Sequence, residues 1–82
     1  MKVVLLPQAE HDLDEIFEPL LSRVVKRLRL LERFPELGAA MQGPFYGYRS
    51  TVVGMFRIIY RTLPADVLEV AYIRHGRRGP IA

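Results

Sequence analysis

The feature that most constrains the fold is a run of alternating residues that fills positions 48–78. Apolar and cationic side chains alternate there in three short segments, as they do in half-buried strands. Gly54 separates the first two segments and Leu63-Pro64-Ala65-Asp66 the last two, and both sequences are typical of turns. We predict strands over residues 46–53, 55–62 and 67–74.

The middle segment shows which side chains share a face, because successive residues of a strand point to opposite sides. Phe56, Ile58 and Tyr60 fall on one face, and Arg57, Ile59 and Arg61 fall on the other. We predict that the first face is buried and that the second is open and basic. An open basic face suits phosphate-rich or acidic partners.

The N-terminal half predicts one strand and two helices. Residues 2–6 are a short apolar run typical of a buried strand, and helical spacing of apolar residues begins at Gln8. Pro19 interrupts the helical pattern, Ser22 is a candidate N-cap of the second helix, and that helix ends near Arg33. The order β-α-α-β-β-β predicts an α+β fold, with a two-helix hairpin on one face of a small antiparallel sheet.

Length and composition limit the class of protein. The 82 residues predict a single domain, 1–82, with one small core, residues 38–47 as a loop and about 76–82 as a flexible tail. The chain has no cysteine and only His11 and His75, so we predict no metal and no cofactor. No apolar run approaches the length of a membrane span, and no signal peptide precedes the first strand, so we expect a cytoplasmic protein that contacts no membrane.

Charge is unevenly distributed along the chain. Residues 1–40 contain six Lys/Arg and seven Asp/Glu, a net charge of −1, whereas residues 41–82 contain six and two, a net charge of +4. The cations of the second half are Arg49, Arg57, Arg61, Arg74, Arg77 and Arg78. Arginine matches phosphate geometry with a planar fork of donors, although charge of this amount also serves solubility alone. Arg57, in the middle of a strand, is the arginine for which we favour a functional role over a solvated one.

These residues supply some of the chemical groups that are needed to cleave RNA by attack of its own 2′-hydroxyl. That reaction needs a base, cations around the phosphate and an acid for the leaving oxygen. Arg49, Arg57 and an arginine of the tail are candidate cations, and His75 is a candidate base or acid. A lone histidine at a strand end is, however, more often a surface residue that forms hydrogen bonds than a catalytic one. The candidates for a second proton carrier are Tyr46, Tyr48 and Tyr72, although aromatic residues of strands are more often core residues.

Four segments in order resemble one family. LLPQAEHDLDEI, FPELG, YRSTVVGMFRIIYR and VLEVAYIRHGRR, between Val3 and Arg78, resemble the RelE/ParE superfamily of type II toxin–antitoxin toxins. The resemblance implies two helices packed on a small antiparallel sheet. It also implies a bacterial growth-inhibiting toxin and a cognate antitoxin that folds a segment onto the toxin, giving a toxin–antitoxin hetero-oligomer.

The resemblance implies two possible targets. RelE-like members cut mRNA on the ribosome, whereas ParE-like members inhibit DNA gyrase and lack the nuclease residues. Arg57 matches the strand arginine that contacts the scissile phosphate in the nucleases, and Arg74 and His75 match their C-terminal arginine or histidine. The chain departs from the RelE pattern in offering Arg49 where RelE has a lysine pair, and in having no tyrosine after His75.

We therefore predict a toxin that inhibits translation by ribosome-dependent mRNA cleavage, acting as a metal-independent endoribonuclease. The predicted catalytic residues are Arg49, Arg57 and His75, and the predicted nucleic-acid-binding residues are Arg61, Arg74, Arg77 and Arg78. Two alternatives remain open: a gyrase inhibitor that is not an enzyme, and an inactive homologue that only binds its antitoxin.

Overall fold

A computed structural model describes residues 1–76 and shows the predicted order of elements. The elements are β1 (Lys2–Leu5), α1 (Pro7–Asp14), α2 (Leu20–Arg33), β2 (Ala39–Ala40), β3 (Arg49–Val53), β4 (Phe56–Leu63) and β5 (Val67–His75), with a one-turn 3₁₀ helix at Gly43–Phe45. The short strand β2 lies in the segment predicted to be a loop. The remaining order, β-α-α-β-β-β, confirms the prediction.

The five strands form one sheet in the order β1-β5-β4-β3-β2. β2, β3, β4 and β5 pair antiparallel, but β1 pairs parallel with β5, so the sheet is mixed rather than purely antiparallel. A parallel pair requires a long crossover connection. The two helices and three strands between β1 and β5 provide it.

Both helices pack on one face of this sheet and form a common core, as predicted. On α2, Val24, Leu28 and Leu31 are buried at the spacing of one helical stripe. The other buried core residues are Ala9, Ile16, Val53, Ile58, Tyr60, Leu68, Val70 and Ile73. The core therefore takes its side chains from the helical segment and from the three long strands.

The connection between the helices differs from the prediction. α1 ends at Asp14, and Phe17, which the helical pattern included, is 79% exposed. Ser22 lies inside α2 and is not its N-cap. Instead, the Glu18 carboxylate accepts hydrogen bonds from Ser22 N (2.9 Å) and Ser22 Oγ (2.7 Å), and these bonds lower the pKa of Glu18. Because Pro19 occupies the N-cap position and has no capping side chain, the residue before it satisfies the first turn.

A buried carboxylate joins α1 to β5. β1 pairs with β5 only as far as Val70, so beyond that point one side of β5 has no strand neighbour. Asp12 of α1 lies there, 7% exposed, and accepts hydrogen bonds from Ile73 N (3.0 Å) and Gln8 Nε2 (2.9 Å). Asp12 thus satisfies a backbone donor that the short β1 leaves unpaired.

The phenol of Tyr60 fixes the segment that follows α2. Its hydroxyl donates to Pro35 O (2.6 Å) and accepts from Gly38 N (2.9 Å), while Arg49 Nη1 donates to Gly38 O (2.8 Å). A Cβ at Gly38 would lie 2.7 Å from the Tyr60 hydroxyl oxygen, so only glycine permits this approach. Burial raises the pKa of Tyr60 above its ordinary value, against the smaller opposite effects of the Gly38 hydrogen bond and the Arg49 charge.

We expect Tyr60→Phe to lower the free energy of unfolding at neutral pH by about 1–3 kcal/mol, because Gly38 N and Pro35 O lose a buried partner. The native protein should also lose stability as the pH rises above about 10, because unfolded Tyr60 ionises before folded Tyr60. Tyr60→Phe should reduce that loss. Urea unfolding at neutral pH and at a pH above about 10 measures these effects. Tyr46→Phe, at an exposed position, is the control. Equal unfolding midpoints for Tyr60→Phe and the native chain at neutral pH would contradict this account.

Candidate functional site

The face of the sheet opposite the helices carries the candidate site, and we call it the open face. Strand pairing places Arg57 opposite Arg74, Ile59 opposite Tyr72, and Arg61 opposite Glu69. Cross-strand partners point to the same side of a sheet. The structure therefore confirms that Arg57, Ile59 and Arg61 share a face away from the core. The residues on this face are Ser50, Val52, Arg57, Ile59, Arg61, Glu69, Tyr72 and Arg74. Ile59 is nevertheless buried, at 1% exposed, so this part of the face is covered rather than open.

Two arginines stand directly opposite each other near the end of this face that adjoins the β3–β4 turn, and Arg57 is the second residue of β4 rather than a mid-strand residue as predicted. Arg57 is exposed and lies on β4, and Arg74 is half-buried and lies on β5. Like charges in directly opposed positions destabilise a sheet. Arg74 Nε is also buried and has no hydrogen-bond partner among the described residues. The Arg57–Arg74 pair thus combines uncompensated charge with an unused donor, and a bound anion would satisfy both.

Aromatic rings flank Arg74 and Arg61 on this face. The Arg74 guanidinium lies over the Tyr72 ring, 5.2 Å from its centroid, and the Arg61 guanidinium lies 5.0 Å from the centroid of Tyr48. Phe45, from the 3₁₀ turn, contacts Tyr48 and Tyr72 edge-to-face at 5.6 and 5.9 Å. Aromatic rings interleaved with arginines form the kind of surface on which nucleobases stack.

The third arginine of the open face already has a counterion. Arg61 Nε lies 2.9 Å from Glu69 Oε1, directly across the strand pair. Within residues 1–76, no ion pair involves Arg57 or Arg74. The ion pair with Glu69 therefore distinguishes Arg61, whose charge is compensated, from Arg57 and Arg74, which have no counterion among the described residues.

The structure does not bring the three predicted catalytic residues together. Arg49 is the cross-strand partner of Tyr60, on the core side of the sheet. His75 is the cross-strand partner of Phe56, on the same side, and contacts that ring edge-to-face at 5.4 Å. His75 also lines a small pocket with Asp12 and Glu15 of the α1 segment. Arg57 therefore lies on the opposite side of the sheet from Arg49 and His75.

The remaining predicted residues fall in different places. Arg61 and Arg74 lie on the open face, and Arg77 and Arg78 are outside the described residues. The sequence did not identify Phe45 as part of the site. It indicated that Tyr48 and Tyr72 were more often core residues than residues of a site. The signal for Tyr72 was its spacing of two residues from Arg74, which places both on one face of a strand.

Residues 1–76 contain no group of three or more His, Asp or Glu side chains arranged to hold a metal ion. No helix in this part of the chain has both the length and the apolar character needed to cross a membrane.

We expect inorganic phosphate to stabilise the protein by binding between Arg57 and Arg74. At ten times its dissociation constant, a ligand of the native state adds about 1.4 kcal/mol. Arg57→Ala should raise the thermal midpoint in chloride, because it removes like-charge repulsion, and should abolish the specific response to phosphate. Calorimetry at constant ionic strength tests this, with Lys2→Ala as a control of equal charge change. An equal phosphate response in Arg57→Ala and Lys2→Ala would show that the effect is not specific to the pair.

Comparison with known proteins agrees with this geometry. The family model for the ParE toxin of the type II toxin–antitoxin system parDE matches residues 3–80. The comparison with curated proteins finds no match.

Solved structures of toxin–antitoxin complexes share the fold. A chain of the RelBE2 complex from Mycobacterium tuberculosis is 23% identical, with a TM-score of 0.82 over 90% of this chain and 95% of that one. A chain of the intact RelBE complex from E. coli is 12% identical, with a TM-score of 0.79 over 94% and 98%. A chain of the chromosomal ParDE system from P. aeruginosa is 17% identical, with a TM-score of 0.72 over 92% and 95%. At these identities the similarity establishes the fold.

These findings confirm the resemblance to the RelE/ParE superfamily. Because the family model matches nearly the whole length, the chain belongs to the ParE toxin family of type II toxin–antitoxin systems.

Proposed function

We propose that this toxin stops growth by binding mRNA on the ribosome with its open face and cleaving it. The observation that carries the proposal is the Arg57–Arg74 pair, two opposed guanidinium groups on central strands with no counterion among the described residues. An RNA phosphodiester would supply the missing negative charge. The rings of Tyr48 and Tyr72 would stack on the neighbouring bases.

The chemistry follows from the position of the pair. The 2′-hydroxyl of one nucleotide attacks the adjacent phosphorus, and the bond from phosphorus to the 5′-oxygen of the next nucleotide breaks. A proton leaves the 2′-oxygen and another is added to the 5′-oxygen, giving a 2′,3′-cyclic phosphate and a free 5′-hydroxyl. Negative charge grows on the non-bridging oxygens during the attack. Arg57 and Arg74, held on rigid strands, stabilise that charge.

Proton transfer in this proposal uses the open face rather than His75. Tyr72 lies beside the Arg57–Arg74 pair, and its hydroxyl is an O–H donor suited to the leaving 5′-oxygen. Tyr48, the second tyrosine of the aromatic cluster, is the candidate partner in proton transfer. Arg49 retains the structural role that its bond to Gly38 O supports.

We also infer that the toxin pairs with a cognate antitoxin in a hetero-oligomer. The similar chains come from toxin–antitoxin complexes, including RelBE2, RelBE and ParDE. The net charge of +3 suits an acidic antitoxin segment.

Inhibition of DNA gyrase is the second candidate, and two observations favour it. The matching family model is that of the ParE toxin, and ParE-like members inhibit gyrase. In addition, Arg49 and His75 lie on the core side of the sheet, so the open face lacks a histidine for proton transfer among the described residues. In this alternative the open face binds gyrase and catalyses no reaction.

We expect the purified toxin to cut mRNA on programmed ribosomes and to leave 5′-hydroxyl ends. Arg57→Ala and Arg74→Ala should each slow cleavage by about 10²–10³-fold, the usual loss when one donor to a developing oxyanion is removed. Tyr72→Phe should slow it by about 10²-fold or more, because the proton donor is lost. Mapping of mRNA 5′ ends measures the rates.

Lys2→Ala serves as the control for loss of one positive charge, and it should cleave at the native rate. A supercoiling assay with purified gyrase runs in parallel on the same preparations. Intact mRNA together with inhibited supercoiling would overturn the nuclease proposal in favour of gyrase inhibition. If Arg57→Ala retained both mRNA cleavage and gyrase inhibition at the native level, the functional surface would lie elsewhere.

A further inference from the structure

A small pocket lies at the β3–β4 turn, next to the Arg57–Arg74 pair, and we call it the turn pocket. It has a volume of about 270 Å³ and is lined by Val52, Gly54, Met55, Phe56, Arg57 and Gly76. Arg57 is the one charged residue in this lining, and the other walls are apolar side chains and glycine backbone. The turn pocket therefore offers a ligand apolar surface beside a guanidinium group.

Two apolar side chains of the turn pocket are exposed. Val52 is 53% exposed and Met55 is 46% exposed. Neither belongs to the core cluster, so the fold does not require an apolar side chain at either position. Single exposed apolar residues are common on protein surfaces. These two, however, line one concave site together with an arginine, which is the usual make-up of a ligand pocket.

The backbone holds the wall of the turn pocket in place. Val53 pairs with Phe56, so Gly54 and Met55 form a two-residue turn, and Gly54 has a φ of 57°. Glycine adopts this conformation without steric cost. Gly76 N donates a hydrogen bond to Met55 O (2.7 Å), which ties the turn to the end of β5. The position of Met55 is therefore fixed relative to both central strands, as a site that selects a ligand requires.

The turn pocket and Tyr72 lie on opposite sides of the arginine pair. Met55 lies in the turn before β4, Arg57 is the second residue of β4, and Ile59 lies two residues further along that strand. Tyr72 pairs with Ile59, so Tyr72 lies on the side of the pair that is farther from the turn. A phosphate bound to the two arginines would have the turn pocket on one side and the Tyr72 ring on the other.

On the basis of the cleavage proposed above, we propose that the turn pocket binds the base of the nucleotide whose 2′-hydroxyl attacks, and that it prefers a purine. In an in-line displacement the attacking and leaving oxygens lie on opposite sides of the phosphorus atom. Tyr72 protonates the leaving 5′-oxygen, so the nucleotide that leaves lies on the Tyr72 side. The attacking nucleotide then lies on the side of the turn pocket, which fixes the direction of the RNA across the open face.

The chemistry of the turn pocket suits the flat face of a base. The Met55 thioether packs well against an aromatic ring, and Val52 adds apolar area beside it. A purine has the larger ring system and buries more of this area than a pyrimidine does. Arg57 is the only lining residue with a charged or hydrogen-bonding side chain, and the phosphate uses it. The turn pocket therefore selects by ring size, and adenine and guanine are accepted alike.

Two isomeric nucleotides test this assignment without any need for cleavage. The phosphate of adenosine 3′-monophosphate is attached as in the attacking nucleotide, and that of adenosine 5′-monophosphate as in the leaving one. We expect the Met55 methyl signal in NMR spectra of the free toxin to shift with the 3′-isomer and to stay in place with the 5′-isomer. Cytidine 3′-monophosphate should bind about tenfold more weakly than adenosine 3′-monophosphate. The methyl signal of Met1, which packs against the core, is the internal control.

The positions of the cuts in mRNA give a second readout. The native toxin should cut mainly after purines. Met55→Ala should lower the ratio of cuts after purines to cuts after pyrimidines by about tenfold, and leave the preference for the following nucleotide unchanged. Leu37→Ala is the control for loss of an exposed apolar side chain, because Leu37 is 47% exposed and lies outside the turn pocket. It should keep the native ratio.

The outcomes separate this proposal from the cleavage on which it rests. A Met55 shift specific to the 3′-isomer would support the turn pocket as a base site even if the native toxin cut no mRNA. Equal shifts with both isomers would overturn the direction assigned to the RNA. Shifts of the Arg57 and Arg74 amides without a Met55 shift would overturn the base site and leave the phosphate site standing. Cleavage by Met55→Ala with the native ratio would overturn selection of a purine by this pocket.

Discussion

One extra residue in β5 decides which side chains reach the open face. Along β4, Ile59 pairs with Tyr72 but the next residue, Tyr60, pairs with Val70, so Ala71 is left without a partner. This β-bulge reverses the alternation of β5 at Ala71. Val70 therefore faces the core, whereas Tyr72 and the residues at every second position beyond it face away from the helices.

The bulge brings the two arginines together. Without it, Arg74 would share a face with Leu68 and Val70, which are fully buried against the helices. With it, Arg74 stands opposite Arg57 on the open face, and Ile73 fills the core. The same shift sends His75 to the core side. Like-charge repulsion between Arg57 and Arg74 has a cost in stability, and such costs are common where a protein is preorganised for a ligand.

Much of the fold could be predicted because its local signals agree with one another. Alternation in β4 gave the correct faces for Arg57 and Tyr60, and the stripe of Val24 and Leu28 gave the buried side of α2. The parallel pairing of β1 was not predictable, because hydrophobic alternation does not encode strand direction. The end of α1 was misjudged because apolar spacing continued through Phe17 although the chain had already turned.

The site was harder to predict than the fold. Arg57 and Arg74 were both singled out as cations, but strict alternation could not show that they share a face, since Ala71 carries no signal of a bulge. The same limit applied to His75, whose side depends on the bulge. Arg49 was grouped with the functional arginines, and only its contact with Gly38 O shows what it does in the folded chain. A one-residue change of register is sufficient to exchange the two faces.

Two surfaces with separate chemistry result from this arrangement. The open face combines the Arg57–Arg74 pair with aromatic rings, and the helix side of the sheet carries the five cations of α2. The core, Asp12 and Tyr60 hold the two surfaces on opposite sides of one sheet.

The most direct test of the central claim is an NMR titration of the free toxin with a short single-stranded RNA. The claim that the open face is the nucleic-acid surface predicts that backbone amide signals of Arg57, Tyr72 and Arg74 shift with RNA concentration, while those of Leu20–Arg33 stay in place. Shifts confined to α2, or no shifts at RNA concentrations that saturate other RNA-binding proteins, would contradict it.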